Sequence, residues 1–351
     1  MTGTAGATTV TGMGRERRPL VVVLCLIVLG GVLTGAVLTA SHDDAAPGTG
    51  SHATESHAGA DAPVREYADP RAGAPAPPAP VPGPDASTGT VTLDCGRNEE
   101  QHYNQDNLVV SPGLSGGAHH THAYVGNLST DARSTDESLA AAPTSCRGGD
   151  RSTYYWPVLR RTDRPATRPY EQAAGHGNAG EVLTPATVAL EFRGSPVGKV
   201  VPMPRFLRAI TGDAVAYTAR DDSQVRARWG CSGSPDRSTT SYPRCREGER
   251  VTRTLVFPSC WNGLETANPD RTHLVFATAN GVCPRGTFAV PELRLSLAYD
   301  VPRGVPLALD SFPEQRHSPR TDHAMFVNVM TDQQMSALVA CLNEGRQCRA
   351  V

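Results

Sequence analysis

Residues suited to acid–base chemistry or metal binding are concentrated in four stretches of this 351-residue chain. The first stretch, residues 111–127, is rich in glycine and contains His120 and His122. In an extended chain, residues two apart point to the same side, so these two imidazoles are expected to share one face. Imidazole titrates near neutral pH and is the commonest metal ligand, so the pair suits an acid–base or a metal site. The alternative interpretation is a loop whose histidines only hydrogen-bond to the main chain.

The second stretch, residues 257–277, combines a cysteine with Trp261, Asp270 and His273. Trp261 offers a flat apolar face to a sugar ring, or alternatively it covers a disulfide. The pair Asp270 and His273 is predicted to lie where a loop enters a strand.

The third stretch, residues 319–331, places Asp322 and His323 just before a predicted strand. Neighbouring residues on a strand point in opposite directions, so these two side chains enter one pocket only if a β-bulge intervenes. His323 is therefore considered for a site without Asp322.

The fourth stretch, residues 144–159, supplies Asp150, Tyr154 and Trp156. Such an aromatic cluster is typical either of a hydrophobic core or of a platform that binds a ligand. Over all four stretches, the predicted catalytic residues are His120, His122, Asp150, Tyr154, Asp270, His273 and His323, and the predicted ligand-binding residues are Trp156 and Trp261.

The overall charge excludes one class of partner. The chain has 33 basic and 35 acidic residues, a formal net charge of -2, and 39% hydrophobic residues. This balance provides no field to hold a polyanion, so nucleic acid is not an expected partner. The apolar fraction is large enough for a sizeable core.

A hydrophobic segment near the N-terminus predicts that the protein is exported. Residues 19–40 carry no charge and are long enough to span a bilayer as a helix, with arginines before the run and aspartates after it. Residues 1–18 are then cytoplasmic, residues 41–89 form a disordered linker rich in Ala, Pro and Gly, and residues 90–351 form an extracellular domain. The alternative is a cleaved signal peptide and a secreted protein.

Eight cysteines follow the hydrophobic segment, an even number that favours disulfides in an exported domain. The sequence alone allows 105 pairings of eight cysteines. Proximity along the chain favours four: Cys95 with Cys146, Cys231 with Cys245, Cys260 with Cys283, and Cys341 with Cys348. No C-x2-C pair occurs, which argues against a structural zinc site built from cysteines.

The pattern of apolar residues predicts a mainly β fold. Short β-branched runs alternate with Gly, Pro, Asn and Asp, and Leu293, Leu295 and Leu297 show the period of two of a half-buried strand. A C-terminal helix is predicted over Thr331–Asn343, and a short one over Pro204–Ile210. These features together indicate an antiparallel β-sandwich or jelly roll with long loops.

Several motifs in these stretches occur in the order of a known family. They include H-x-H followed by G-N-x-S-T, then D-x-S-x-Y, F-P-S-C-W-x-G with a later D and H, and a late H-A followed by F. Over residues 91–342 the chain resembles DUF1996, an exported domain of unknown function found in actinobacteria and fungi. The resemblance marks His120, His122, Asp150, Tyr154, Cys260, Trp261, Asp270, His273 and His323 as positions on the family pattern. The chain departs from that pattern at Ala123, Asn262, Arg271 and Met325.

Three functions remain open at this stage. The first is an enzyme acting on envelope or extracellular polysaccharide. It would use either Asp150 and Asp270 as a carboxyl pair about 5–5.5 or 6.5–9.5 Å apart, or Tyr154 with His120 or His323 as a lyase-like acid–base pair. The second is a non-catalytic envelope module for binding or structure. It is favoured because Ala123, Asn262 and Met325 stand where the family pattern implies aspartate. The third is a metal site drawn from the four histidines His120, His122, His273 and His323. The sequence does not identify a cofactor.

Overall fold

The computed structural model of the chain describes residues 66–73, 75, 76, 78–172 and 177–349. All of them belong to one compact unit, Ser56–Val351. Within this part of the chain, every helix is too short or too polar to cross a membrane. The predicted cytoplasmic segment and the predicted membrane span, residues 1–18 and 19–40, lie outside the described residues.

Short strands dominate the described chain. In chain order they are β1 Tyr67–Ala68, β2 Thr90–Leu93, β3 Tyr103–Asn104, β4 His122–Gly126, β5 Thr153–Pro157, β6 Leu159–Arg161, β7 Glu181–Leu183, β8 Thr187–Arg193, β9 Arg208–Gly212, β10 Arg228–Cys231, β11 Tyr242–Pro243, β12 Val251–Val256, β13 Cys260–Trp261, β14 Leu274–Val275, β15 Phe288–Ala289, β16 Glu292–Tyr299, β17 Leu307–Leu309, β18 His323–Val327 and β19 Gln347–Arg349. The α-helices are α1 Asp136–Ala141, α2 Pro169–Gln172, α3 Ala216–Ala219 and α4 Asp332–Asn343, with 3-10 turns at Pro70–Ala72, Pro313–Gln315 and Pro319–Thr321.

Two sheets form the body of the fold. One has six strands in the order β10-β12-β16-β8-β2-β19, and the other has five in the order β3-β4-β5-β18-β9. All neighbours in these two sheets are antiparallel except β19 and β2, which are parallel. In β16, buried and half-buried residues alternate along the whole strand, as the leucine pattern predicts.

The main hydrophobic core draws on one face of each large sheet. Tyr154 of β5 stacks on Phe326 of β18, with ring centroids 5.1 Å apart, and Phe192 of β8 meets Phe326 edge-on at 6.0 Å. Leu295 of β16 and Trp156 of β5 are buried in the same cluster. The prediction of a mainly antiparallel, sandwich-like β fold is confirmed.

The second face of the five-stranded sheet is covered by a long loop. Tyr124, Tyr155 and Met325 are buried there in a cluster separate from the main core. Val109, in the segment before β4, packs on this cluster, and its main-chain N–H donates to the Tyr155 hydroxyl at 3.1 Å. This loop therefore covers the face of the five-stranded sheet that would be exposed to solvent in a simple two-sheet sandwich.

One predicted helix is confirmed and the other is wrong. Helix α4 begins after Thr331, whose hydroxyl accepts from the main chain of Gln334 in a capping box. Around Pro204–Ile210 the chain instead turns at Phe206, whose φ is 67°, and enters β9. There the hydrogen bonds of the β18 edge outweigh local helix propensity.

The four disulfides pair as proximity predicts: Cys95–Cys146, Cys231–Cys245, Cys260–Cys283 and Cys341–Cys348. Part of the predicted linker also packs on the domain. The Tyr67 ring lies 5.4 Å from that of Tyr242, and the main-chain N–H of Ser87 donates to the carbonyl of Ser195 at 2.8 Å. Tyr67 and Ser87, within the predicted linker, therefore both contact the domain.

Candidate metal centre

Three histidines from two strands and one loop meet on the loop-covered face of the five-stranded sheet. Strand β5 lies between β4 and β18, and His122 of β4 pairs with Pro157. Met325 pairs with Tyr155 on the other side, so the antiparallel register puts His323 level with Pro157. His120 precedes His122 by two residues. Its side chain therefore reaches the same face, as the H-x-H spacing predicts.

The three imidazoles are close and buried. Their ligand nitrogens all lie within 4.8 Å of one another, and Nε2 of His120 is 3.4 Å from Nε2 of His323. The rings meet edge-on, with centroids 4.7 Å apart for His120 and His122 and 5.7 Å for His122 and His323. Each residue is at most 2% exposed. We call His120, His122 and His323 the histidine cluster.

Main-chain carbonyls fix the orientation of two of these rings. Nδ1 of His122 donates to the carbonyl of Asp106 at 2.9 Å, and Nδ1 of His323 donates to the carbonyl of Thr321 at 2.8 Å. With the proton held on Nδ1, the Nε2 atom of each neutral ring carries a lone pair. Nε2 of His122 is buried and has no hydrogen-bond partner, and the same is true of Nδ1 of His120.

The surroundings keep the cluster neutral. Burial lowers the pKa of His120 and of His122 well below the usual value, and the neighbouring imidazoles add to the effect. Burial likewise lowers the pKa of His323 to about 4, with smaller contributions from the charges of Arg253 and Arg271. At neutral pH the imidazoles are therefore uncharged, which is the form that binds a metal.

The dimensions of the cluster fit a transition-metal ion. Two nitrogens bound to zinc in tetrahedral geometry, each about 2.05 Å from the ion, lie about 3.3 Å apart. The Nε2 atoms of His120 and His323 are already at that separation, and a ligand nitrogen of His122 lies within 4.8 Å of both of these residues' ligand nitrogens. An Nδ1–H bond to a carbonyl is the usual support behind a metal-bound histidine. Two other groups in the described residues bring cysteine sulfur close to a carboxylate, but their cysteines are bridged and offer no thiolate.

Sequence reasoning missed Asp106, which organises the loop over the cluster. Its carboxylate accepts from the main-chain N–H of Gly116 at 2.7 Å and of Ala132 at 2.9 Å. Its carbonyl accepts from both His122 and the hydroxyl of Tyr124. Asp106 acts on the cluster through its main chain, and no residue type marks such a role in the sequence.

The fourth stretch, residues 144–159, places Asp150, Tyr154 and Trp156 away from the histidine cluster. Asp150 is buried and accepts from the main chain and hydroxyl of Ser152, and the Tyr154 hydroxyl donates to it at 2.7 Å. The Tyr154 and Trp156 side chains belong to the main core, on the face of the sheet opposite the cluster. The structure thus separates Asp150, Tyr154 and Trp156 from the histidines.

The stretch around Trp261 also stays apart from the cluster. His273 hydrogen-bonds to the carbonyl of Arg208 at 2.7 Å, at the outer edge of β9. Asp270 is exposed, and Nε1 of Trp261 donates to the carbonyl of Glu265. Of the seven predicted catalytic residues, the structure therefore brings only His120, His122 and His323 together, from the first and third stretches.

Asp322 points away from His323, as the alternation of strand residues predicts. Its carboxylate forms a buried ion pair with Arg253, with Oδ1 3.0 Å from Nη1. Burial raises the pKa of Asp322 to about 6, against the opposing effect of the Arg253 charge. Arg253 also donates to the Pro157 carbonyl and the Tyr299 hydroxyl. This network braces the sandwich behind the cluster.

All three histidines of the cluster lie within the part of the chain that matches a known protein family. A family model matches residues 107–330, and its description is a domain of unknown function, DUF1996. No significant match was found among curated proteins or among solved structures. Since the matched residues make up more than half of the chain, this protein belongs to the DUF1996 family.

Proposed function

We propose that this domain binds a transition-metal ion through His120, His122 and His323. The observation that carries the proposal is the buried Nε2 of His122, which has no hydrogen-bond partner, in a residue whose ligand nitrogen lies within 4.8 Å of those of both other histidines. A buried polar atom without a partner costs about 1–3 kcal/mol. A bound metal ion gives this nitrogen the partner that the protein itself does not supply.

A purely structural role for the cluster accounts for less of the geometry. A proton on Nε2 of His120 lets that atom donate to Nε2 of His323 at 3.4 Å, which satisfies one pair. Nε2 of His122 then still has no partner. A proton on the Nε2 atom of His122 is disfavoured, because Nδ1 already holds the proton that it donates to Asp106, and burial opposes a charged ring. A single metal ion bound by one nitrogen from each ring gives Nε2 of His122 the partner that it lacks.

The same geometry gives little support to glycoside hydrolysis by a carboxyl pair. Asp150 is buried and bonded to Ser152 and Tyr154, while Asp270 is exposed. The catalytic roles of these residues, and the sugar-stacking roles of Trp156 and Trp261, stay predictions. Metal binding is the function that the arrangement of side chains supports best.

We further propose that the domain acts outside the cell. Four disulfides favour an oxidising compartment, and the uncharged run at residues 19–40 favours a membrane anchor with the domain on the exterior. Extracellular labelling of Lys199 on intact cells with a membrane-impermeant amine reagent tests this placement. Labelling only after the membrane is broken would contradict it.

The metal proposal is tested on the purified full-length chain. After treatment with EDTA, the protein is loaded with Zn²⁺, Co²⁺ or Cu²⁺, desalted, and assayed for metal by plasma mass spectrometry. We expect about one metal ion per chain. With Co²⁺, we expect visible absorption bands of a nitrogen-bound ion, which report coordination independently of any activity.

Single substitutions identify the ligands. His120→Ala, His122→Ala and His323→Ala are each expected to reduce retained metal to less than about a tenth. His119→Ala is the matched control, because His119 is the exposed neighbour of His120 and is not part of the cluster. Retention of metal in the His122→Ala variant, or none in the parent chain with any of the three ions, would overturn the proposal.

A further inference from the structure

A second feature, separate from the histidine cluster, is a cavity of about 780 Å³ beside β1 and β11. Its walls come from Tyr67–Arg71, from residues 243–247 and from the loop at residues 301–307. Ligand sites in proteins typically measure about 300–1,000 Å³. The cavity is thus large enough for a small organic molecule or for part of a polymer chain.

The wall at Tyr67 is firmly held. Strand β1 pairs in parallel with β11, and the main-chain N–H of Arg244 donates to the carbonyl of Ala68 at 2.7 Å. The hydroxyl of Tyr67 accepts from the main-chain N–H of Leu307 at 2.7 Å, which ties the wall to β17. The cavity is therefore formed before any ligand arrives, and binding does not require the wall to be ordered first.

Arginines give the cavity a surplus of positive charge. Arg71, Arg244, Arg246 and Arg303 line it, together with the acidic residues Asp69 and Glu247. Asp69 is neutralised by Arg71, which contacts both of its carboxylate oxygens. Among the residues that the structure describes, neither Arg244 nor Arg303 forms an ion pair, although the Arg244 guanidinium lies 5.8 Å from the centre of the Tyr67 ring. These two guanidiniums are free to bind an anion.

Apolar side chains, among them one tyrosine and several prolines, form another part of the lining. Tyr67, Val301, Pro302, Val305 and Pro306 contribute to the surface. Aromatic and proline rings stack on the apolar faces of sugars, and a guanidinium fork matches the geometry of a carboxylate. A ligand that uses both features has a ring and a carboxylate on the same unit.

We propose that this cavity binds an acidic glycan, a sugar chain whose rings carry carboxylates. The carboxylate pairs with Arg244 and Arg303, and the ring of the same sugar rests on the Tyr67 side of the cavity. The segment that forms this wall precedes the residues matched by the family model, 107–330, so the site is assembled partly from chain outside that match. The proposal is independent of metal binding, because the cavity and the histidine cluster share no residue.

The test is isothermal titration calorimetry of the full-length chain with trigalacturonate, a short acidic sugar. We expect saturable binding that weakens at least about tenfold when NaCl rises from 50 to 500 mM, because exposed charges are screened by salt. Cellotriose, an uncharged trisaccharide, is expected to show no saturable heat. Inorganic phosphate is the third probe. If phosphate binds as tightly as trigalacturonate, the cavity is a general anion site and the glycan proposal is overturned.

Two variants locate the binding. The double variant Arg244→Ala/Arg303→Ala is expected to weaken trigalacturonate binding at least about tenfold. Arg133→Ala/Arg285→Ala is the matched control: it removes the same charge from two exposed arginines outside the cavity, and its affinity should stay within about twofold of the parent. Thr162→Trp fills the cavity without changing its charge and should also weaken binding. Unchanged affinity in the Arg244/Arg303 and Thr162 variants, with melting temperatures like that of the parent, would overturn the proposal.

Discussion

Replacing His122 by phenylalanine separates a metal site from a merely buried histidine. The ring of His122 is fully buried, and its two nitrogens differ: Nδ1 donates to the Asp106 carbonyl at 2.9 Å, while Nε2 has no partner. Phenylalanine has a similar shape and no polar atom. The His122→Phe substitution therefore removes one satisfied and one unsatisfied nitrogen together.

Without metal, the two losses oppose each other. The lost hydrogen bond is worth about 1 kcal/mol, and the Asp106 carbonyl keeps the Tyr124 hydroxyl as a donor at 3.0 Å. Removal of the unpaired nitrogen recovers about 1–3 kcal/mol of desolvation cost. In EDTA, the free energy of unfolding of His122→Phe should therefore lie within about 2 kcal/mol of the parent value.

With metal, the parent chain should gain stability that the variant does not. At a free metal concentration of about 100 times Kd, binding to the folded state alone adds about 2.7 kcal/mol. Urea unfolding, followed by tryptophan fluorescence in EDTA and then in saturating metal, measures this increment for each protein. We expect about 2.7 kcal/mol for the parent and close to zero for His122→Phe.

His317→Phe is the matched control for this comparison. His317 is also buried, and its Nδ1 also bonds to a main-chain carbonyl, that of Leu309 at 3.0 Å, but it lies outside the cluster. Its metal increment should equal that of the parent even if its baseline stability falls. An equal increment in His122→Phe and the parent would refute the assignment of His122 as a ligand.

Three further predictions concern the scaffold around the cluster, and urea unfolding in EDTA measures each of them. Arg253→Met leaves the carboxylate of Asp322 buried without its partner, and we expect a loss of about 3–5 kcal/mol; a loss below about 1 kcal/mol would contradict the role of this pair. Gly212→Ala places a methyl group 2.2 Å from the Asp322 carbonyl at a φ of 85°, so a loss of about 2 kcal/mol or more is expected, and a neutral result would argue against this backbone geometry. Removing the bridge with Cys95→Ser/Cys146→Ser should cost about 2–5 kcal/mol, and a loss below about 1 kcal/mol would argue against a stabilising role for this bridge.

Local patterns in the sequence were sufficient for much of the fold. The alternation of leucines in β16 and the cap of α4 are read from neighbouring residues, and both occur as predicted. The disulfides follow because each pair closes a short or moderate loop, from 7 residues for Cys341–Cys348 to 51 for Cys95–Cys146. The prediction of a helix over Pro204–Ile210 was wrong, because pairing with β18, more than a hundred residues later, decides the conformation of this segment.

The histidine cluster could be predicted only in part. The H-x-H spacing places His120 and His122 on one face, but their meeting with His323 depends on the strand order β4-β5-β18, which no local pattern reveals. Asp150 and His273 were predicted as catalytic on the same grounds of residue type as the clustered histidines. In the structure, Asp150 instead bonds to Tyr154 of the core, and His273 bonds to the edge of β9. Residue type thus identified the candidates, and the register of the sheet selected among them.

A series of buried contacts connects the cavity with the histidine cluster. Its rigidity determines whether binding at one site changes affinity at the other. The Tyr242 ring supports Tyr67 at the cavity, and its hydroxyl accepts from the main-chain N–H of Leu309. The next residue, Asp310, accepts from the main-chain N–H of Thr121, between two of the clustered histidines, and is held by a buried ion pair with Arg160.

Such a series transmits binding energy only if one of its members has two arrangements. Tyr242, Leu309 and Asp310 are all buried, and each is bonded to fixed main-chain groups. The series therefore positions both sites without coupling them, and the effects of substitutions at the two sites should add. Trigalacturonate affinity should be the same within about twofold with and without metal, which corresponds to a coupling free energy below about 0.4 kcal/mol.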